Sequence, residues 1–324
     1  MRFSSLGLVA VLGLASVAVA CAAGGENGEP DAAVAPDGAS GSTKDASGSQ
    51  QKDAQSPTQD GSTTTTYDAG AGDATLSSDA SDASPPKAIV YGHSPDTLYT
   101  LDVDTNAVTA VAPFSGCAQG TNATTVIDLA IDSQMNAYVT TFDGFYSLDL
   151  TTAQCTLVAA GAYPNSLSFV PAGTLDPNVE ALVGYSGSSY LRIDPSTGNV
   201  TFVGTLSGGY ASSGDIVSVE GGGTFLTVTG NGCADCLLQV NPATGDMVQS
   251  YGALPHGAVY GLGYWGGNLY GFDSTGDLFL IGGDGDGGIA TSDIVVDGGV
   301  IWYGAGSTTI APPTALDGGA IPTQ

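Results

Sequence analysis

The two histidines are the first side chains whose chemistry could define a site. His93 and His256 are the only histidines in the chain, and imidazole is the side chain that exchanges protons most readily near neutral pH. A histidine beside Asp143 could do acid–base work, while Tyr163 and Tyr210 would offer aromatic surface to a sugar or a peptide. These five residues are our candidate ligand contacts, provided that the fold brings their loops to one face. The opposing interpretation is that loops carry polar residues in any protein, and we assign no catalytic residue.

A glycine- and aspartate-rich segment at residues 282–293 resembles the calcium loop of dockerin modules. Asp284, Asp286 and Asp293 fall at matching spacings, with Gly287 at the sharp turn. Glycine occupies the first ligand position, and no helix is predicted after the loop. The alternative is a hairpin loop without metal. Calcium is the only ion that this segment suggests, and no other cofactor is expected.

Four cysteines besides Cys21 predict disulfides if the chain is exported. Cys233 and Cys236 predict a local bond that clamps a loop, because a redox pair of this spacing would sit at a helix start and zinc would need further ligands. Cys117 and Cys155 could pair by elimination. The strand assignment given below places these two at opposite rims of the fold, so their bond stays an open alternative.

The first 20 residues are typical of a signal peptide. Residues 6–19 are an apolar run of 14 residues, too short for a membrane span, and they lead into Ala18-Val19-Ala20-Cys21. This sequence resembles the lipobox of bacterial lipoproteins, with Ala18 where leucine is usual. The resemblance implies that Cys21 carries diacylglycerol and becomes the N-terminus. Because Ala22 follows where an inner-membrane lipoprotein would have aspartate, it also implies the outer membrane or the cell surface. Plain secretion is the alternative.

Residues 21–87 are predicted to be a disordered, lipid-anchored linker. The segment consists mostly of Gly, Ser, Ala, Asp and Thr, and its bulky apolar side chains are Val34, Tyr67 and Leu76. Such a segment cannot bury enough apolar surface to offset its chain entropy. As a flexible coil it would span about 45 Å. Residues 313–324 are predicted to be a flexible tail.

The charge balance excludes several classes of partner. The chain has 5 Lys and Arg against 32 Asp and Glu, a net charge of -27. So few cations cannot neutralise a row of phosphates, which excludes nucleic acid as a partner. The membrane, through the lipid anchor, and a protein or carbohydrate ligand are the partners we expect of a monomeric protein.

Residues 88–312 contain a repeated phrase, in which an apolar strand leads through a hydrogen-bonding turn into a Thr-rich strand. Aligned on Asp102, Asp149, Asp194 and Asn241, the four copies are separated by steps of 47, 45 and 47 residues. A period in the forties with several short strands per unit is typical of β-propeller blades. The acid or amide is expected to accept hydrogen bonds from turn amides. The copies occupy residues 98–111, 145–158, 190–203 and 237–248.

The strand assignment predicts an all-β protein with five four-stranded blades. The first unit has only three strands, and an unassigned strand at 300–304 is predicted to complete it and close the ring. Other predicted strands include 216–219, 237–241 and 293–296. The repeats are similar to those of bacterial extracytoplasmic β-propellers, and this resemblance indicates the fold without indicating an activity. In this arrangement the five candidate ligand contacts all lie on one rim.

The sequence therefore predicts a cell-envelope lipoprotein that presents a β-propeller as a binding or interaction module. One alternative is an extracytoplasmic enzyme acting on carbohydrate through polar residues at the mouth of the propeller. A second alternative is a structural component of the envelope, which would carry an exposed apolar patch on the blade sides.

Overall fold

A computed structural model describes residues 89–117, 125–284 and 288–313 of the protein. These residues form twenty β-strands in five four-stranded antiparallel sheets. The first strands of neighbouring sheets contact one another around a closed ring, so the fold is a five-bladed β-propeller, as predicted. No helix in the described part of the chain is long and apolar enough to cross a membrane.

Each blade runs from an inner strand beside the ring axis to an outer strand, in chain order except in blade 1. Blade 1 contains β1 (Ile89–His93), β2 (Thr97–Asp102), β3 (Ala107–Pro113) and the inner strand β20 (Gly304–Gly306). Blade 2 contains β4 (Val126–Ile131), β5 (Ala137–Thr141), β6 (Gly144–Leu148) and β7 (Cys155–Ala160). Blade 3 contains β8 (Ser166–Val170), β9 (Ala181–Ser186), β10 (Ser189–Ile193) and β11 (Val200–Thr205).

Blades 4 and 5 follow the same order. Blade 4 contains β12 (Tyr210–Val219), β13 (Gly223–Gly230), β14 (Cys233–Val240) and β15 (Met247–Ala253). Blade 5 contains β16 (Val259–Trp265), β17 (Asn268–Asp273), β18 (Leu278–Gly283) and β19 (Ile289–Val295). One rim of the ring carries the turns between the second and third strands of each blade, together with the segments that connect the blades. We call it the upper rim. The lower rim carries the remaining turns.

The C-terminal strand completes blade 1 as predicted, but it begins later than expected. β20 pairs antiparallel with β1, His93 facing Gly304 and Tyr91 facing Gly306. The predicted strand at 300–304 is instead mostly a loop, because Trp302 is buried there. Its ring packs edge-on against Phe272 and Tyr99, at centroid distances of 5.2 and 5.3 Å.

Three other strands extend differently from the prediction. β12 begins at Tyr210, with a register shift between Ser212 and Ile216 that lets the strand continue. β14 begins at Cys233, and β19 covers Ile289–Val295. Each added segment pairs with a neighbouring strand.

The repeated phrase forms turns as predicted. Asp149 Oδ1 accepts a hydrogen bond from the Thr151 amide at 2.8 Å, and Asp194 Oδ1 accepts one from the Ser196 amide at 2.8 Å. Asn241 Oδ1 accepts the equivalent bond from Ala243, also at 2.8 Å. Hydrogen bonds from the neighbouring hydroxyl groups and amides lower the pKa of the Asp149 and Asp194 carboxyls. These residues therefore stabilise hairpins at the lower rim.

Twist brings the outer end of each blade against the next one. Tyr185 and Tyr190 of blade 3 donate hydrogen bonds to the carbonyls of Gly245 and Pro242, at 2.6 and 2.8 Å, in the last hairpin of blade 4. The Ser207 amide likewise donates to Asp246 Oδ1 at 3.1 Å. A twist of roughly 20–25° per strand turns the fourth strand roughly 60–75° from the first. The segment leaving one outer strand can therefore meet the lower hairpin of the next blade.

This twist removes the objection to a bond between Cys117 and Cys155. The structure joins the two in a disulfide, with a Cα–Cα distance of 5.0 Å. The inference from opposite rims fails because residue Ser115 pairs with Gln154 in a parallel bridge and accepts a hydrogen bond from the Cys155 amide at 2.7 Å. Cys233 and Cys236 form the second disulfide.

The C-terminal segment after β20 crosses the lower rim. Thr308 donates a hydrogen bond to the Asp132 carbonyl of blade 2 at 2.9 Å, and the Glu220 amide of blade 4 donates to the Thr309 carbonyl at 2.9 Å. Tyr264 of blade 5 donates to the Pro313 carbonyl, also at 2.9 Å. The segment thus contacts blades on both sides of the axis. Residues 314–324 lie outside the described part.

The two disulfides should contribute unequally to stability. They close loops with sequence separations of 38 and 3 residues, for which chain entropy gives about 4 and about 1.6 kcal/mol. We expect the double variant Cys117→Ser/Cys155→Ser to lose more free energy of unfolding than Cys233→Ser/Cys236→Ser, measured by denaturant titration. Equal losses, or a larger loss from the short loop, would contradict this assignment of their structural roles.

Candidate functional site

Two buried carboxyl groups meet on the axis of the ring. Asp128 of β4 and Asp215 of β12 are both 0% exposed. Asp128 accepts hydrogen bonds from the amides of Leu129 and, in the next blade, Leu167, at 2.8 and 2.6 Å. The two carboxyl groups face each other, and each affects the pKa of the other.

Asp215 makes equivalent contacts between blades 4 and 5, as Asp128 does between blades 2 and 3. Its oxygens accept from the amides of Ile216 at 2.6 Å and of Leu262, in blade 5, at 2.7 Å. The backbone amide of Ala305 on β20 faces the same carboxyl. Together the pair therefore contacts all five inner strands.

Burial favours the protonated form of this pair. Loss of hydration raises the pKa of Asp128 well above its ordinary value, and the neighbouring Asp215 charge raises it further. Burial likewise raises the pKa of Asp215. A hydrogen bond between two carboxyl groups requires that one of them be protonated and donate. Neither residue was among the predicted site residues, although an aspartate inside an otherwise apolar strand was the available signal.

His93 lies beside this pair and is fully buried. Its Nδ1 is 2.9 Å from the Ser94 carbonyl, which can only accept, so Nδ1 carries the hydrogen. Burial lowers the pKa of His93 to about 4, and the ring is neutral at pH 7. A Cβ on Gly304 would lie 2.3 Å from His93 Nε2 and 2.8 Å from Asp128 Oδ1. Only glycine lets β20 pass between them.

The five predicted ligand contacts do not come together. His93 is buried, whereas the Tyr163 hydroxyl donates to the Gly198 carbonyl at 2.9 Å in the next blade. The Tyr210 hydroxyl accepts from Asn231 at 3.2 Å, and the Asp143 amide donates to Thr141 at 3.3 Å. Among the described residues, no hydrogen bond or ion pair joins any two of the five. Their hydrogen bonds go instead to residues outside the set of five.

His256 is instead surrounded by carboxylates of its own blade. Its Nδ1 lies 3.4 Å from Asp273 Oδ2 and 3.7 Å from Asp277 Oδ2, and its Nε2 lies 3.3 Å from Asp293 Oδ1. The imidazole ring stacks on Phe279 at a centroid distance of 3.6 Å. The segment before β16, the turn after β17 and strand β19 supply these residues. Asp273 and Asp277 were not among the predicted site residues.

The residues of the calcium-loop pattern lie apart. Asp284 Oδ1 accepts the Gly288 amide at 2.9 Å and so holds the hairpin between β18 and β19. Asp293 lies four residues beyond the start of β19 at Ile289, roughly 13 Å along the strand, facing His256. The two carboxylates therefore do not surround one point. Asp286 lies outside the described residues.

A groove of about 660 Å³ lies between blades 2 and 3 at the lower rim. Phe169 and Tyr138 form its aromatic part, and Tyr138 stacks on Phe145 at 5.5 Å. Arg192 also lines it and is 3.7 Å from Asp176. Arg192 is the only Lys or Arg after Lys87. Amide and hydroxyl groups complete the walls: Gln134, Asn178, Asn199, Ser133 and Thr201.

The acids of this groove hold the protein's own turns. Asp132 Oδ1 accepts the amides of Gln134 and Asn136, each at 2.8 Å. Glu180 accepts the amide and the hydroxyl of Ser133, each at 2.8 Å, and also contacts the Thr309 hydroxyl. The groove therefore offers outward-facing amides and one guanidinium.

Comparison with known proteins does not assign this chain to a family. No protein-family model matches the sequence, and no curated protein matches it. Among solved structures, a chain of a nidogen–laminin complex shares 11% identity at a TM-score of 0.44, with 68% of this chain and 97% of that chain covered. A structural genomics protein of unknown function from Bacteroides thetaiotaomicron VPI-5482 shares 15% identity at 0.37, with 56% and 53% covered.

The proton on the axis should make stability depend on pH. The folded pKa of the pair lies above the ordinary 3.8. The contribution of the pair to the free energy of unfolding is therefore fully present below pH 3.8. It is lost as the pH rises through the folded pKa, by up to about 1.4 kcal/mol per pH unit for each proton held. The stability advantage of the wild type over Asp215→Asn should shrink as the pH is raised from below 3.8 through the folded pKa of the pair.

Chemical denaturation across this range measures the effect, and the difference between the two proteins cancels the contribution of His93. Asp149→Asn serves as the control, because its exposed carboxyl has a lowered pKa and should leave the difference constant above about pH 5. A wild-type advantage that grows with pH would show that the pair is ionised in the folded protein.

Proposed function

We propose that this protein is a lipid-anchored envelope protein whose propeller binds a neutral carbohydrate in the groove between blades 2 and 3. The observation that carries the proposal is the groove itself, in which aromatic surface, amides and one guanidinium line about 660 Å³. Binding sites of this size usually combine apolar surface with a few convergent polar groups. A sugar chain offers both an apolar ring face and hydroxyls.

The polar groups of the groove favour an uncharged ligand. The groove's amides can donate and accept, as sugar hydroxyls require. Arg192 donates through a planar guanidinium, and Asp176 already offsets its charge at 3.7 Å. An anionic ligand would also face the carboxylates of Asp132, Glu180 and Asp194. A neutral ligand avoids this repulsion.

The same contacts favour binding over catalysis in this groove. Glycoside hydrolysis needs a pair of carboxyl groups free to act on the scissile bond. Asp194 Oδ1 is instead occupied by the Ser196 amide and hydroxyl, at 2.8 and 2.6 Å. Asp132 and Glu180 hold backbone and hydroxyl groups in the same way. These carboxylates support the shape of the groove.

The place of action is proposed from the N-terminal sequence. The lipobox-like Ala18-Val19-Ala20-Cys21 and the Gly/Ser/Ala/Asp-rich segment up to residue 87 support a tether on the outer membrane or cell surface. These residues lie outside the described part of the structure. A tether of this length would let the groove sample ligands about 45 Å from the membrane.

Loss of the groove's aromatic side chain should weaken carbohydrate binding. We expect Tyr138→Leu and Arg192→Gln each to reduce affinity for a neutral oligosaccharide at least tenfold, about 1.4 kcal/mol, by removing ring contact and a donor. Candidate ligands come from a panel of neutral glycans, and calorimetry measures the affinity of those retained. Tyr210→Leu, a half-buried tyrosine at the upper rim, is the matched control.

The proposal fails if no neutral glycan binds, or if both groove variants bind as the wild type does while Tyr210→Leu does not. Thermal unfolding of each variant identifies any that has lost its fold, and Arg192→Gln, a half-exposed side chain, keeps the test valid if Tyr138→Leu is unstable.

Lipid attachment should depend on Cys21 alone among the cysteines, because the others are paired in disulfides. In a bacterial host, Cys21→Ser should abolish labelling by a radioactive fatty acid and shift the protein from the membrane to the soluble fraction. Cys233→Ser/Cys236→Ser should leave both unchanged. Full labelling of Cys21→Ser would exclude the anchor.

A further inference from the structure

We propose that blade 5 contains a zinc site made of His256 Nδ1 and the carboxylates of Asp273 and Asp277. The candidate ligand atoms of the three residues all lie within 4.8 Å of one another. This site is separate from the carbohydrate groove. It belongs to the upper rim, whereas the groove lies at the lower rim between blades 2 and 3.

The distances are those of ligands around a metal. His256 Nδ1 lies 3.4 Å from Asp273 Oδ2 and 3.7 Å from Asp277 Oδ2. Both exceed the 2.7–3.2 Å typical of N–H···O hydrogen bonds. Ligand atoms around a tetrahedral zinc with bonds of roughly 2.0–2.2 Å lie roughly 3.3–3.6 Å apart. The three atoms thus leave a space that an ion would fill.

Asp293 supplies the outer partner that a metal-bound histidine normally has. Its Oδ1 lies 3.3 Å from His256 Nε2, on the ring nitrogen that faces away from the other two acids. A histidine ligand commonly donates its second ring N–H to a carboxylate, which fixes the tautomer. With Nε2–H directed at Asp293, Nδ1 presents its lone pair to the ion.

The ligands are held in place before any ion arrives. Asp273 is buried, and its Oδ1 accepts the Thr275 amide and hydroxyl at 2.9 and 2.7 Å, which leaves Oδ2 directed at His256. Asp277 Oδ1 accepts the Asp297 amide at 2.8 Å, leaving its Oδ2 for the site. Stacking on Phe279 orients the imidazole. Each residue therefore has one atom engaged with the protein and one turned inward.

The ligand set favours zinc over calcium. Calcium takes six to eight oxygen ligands, whereas zinc takes four ligands and accepts both His nitrogen and Asp oxygen. Three protein ligands leave a fourth position for water. The ion would join the segment between blades 4 and 5 to the turn after β17, and so fix the upper rim of blade 5.

Calorimetry on the full protein, first stripped with EDTA, tests the site with zinc chloride as the probe. We expect one zinc ion per chain and a rise in the thermal unfolding temperature on saturation. Cobalt as the probe should give the visible absorption of a four-coordinate nitrogen and oxygen site. Calcium at the same concentration should produce neither effect.

The variants separate this site from weak binding to an acidic surface. Asp273→Asn keeps an Oδ1 acceptor for Thr275 and replaces the inward oxygen, so zinc affinity should fall at least 100-fold with the fold retained. His256→Gln should behave alike, and Asp293→Asn should lose 10–100-fold. Asp246→Asn, an exposed hairpin acid of blade 4, is the control and should bind as the wild type does.

Three results would overturn the assignment: no stoichiometric zinc binding by the wild type, preferential binding of calcium, or equal affinity in Asp246→Asn, Asp273→Asn and His256→Gln.

Discussion

The carboxyl pair on the axis is the interaction on which the ring depends. Asp128 connects β4 to β8, while Asp215 connects β12 to β16 and faces the amide of β20. Five strands approach one line, and their inward amides would lack partners without these oxygens. An unpaired buried amide costs about 1–3 kcal/mol, and two ionised buried carboxylates would cost more. A shared proton is therefore the state that best stabilises both carboxyl groups and the amides that they accept from.

The buried pair closes the axis at its own level, and the two candidate sites lie at the rims. His93 and Gly304 complete the packing around the pair, and the segment 307–313 crosses the lower rim. The groove lies between two blades at that rim, where twist and loop length leave room. The His256 cluster lies at the upper rim, within one blade. The ring is thus a rigid support, and the side chains that it carries at its edges are those that can meet a ligand.

The repeats predicted the blade number and the closing strand, because hairpin acids such as Asp149 and Asp194 recur with the blade period. The sites were less predictable. Cys117 and Cys155 meet through sheet twist, which no local pattern records. The partners of His256 come from separate elements of blade 5, which sequence spacing does not show to be adjacent. Asp128 is the one charged residue of an otherwise apolar strand. Its role became apparent only from its burial on the axis.

The protonation of the axis is the claim that one measurement can test most directly. Infrared spectroscopy at pH 7 distinguishes the C=O stretch of a protonated carboxyl group from the band of a carboxylate. We expect a protonated-acid band in the wild-type protein that is absent from Asp128→Asn/Asp215→Asn. A wild-type spectrum with no such band would mean that both carboxyls are ionised on the axis. The account of how the five inner strands are joined would then be wrong.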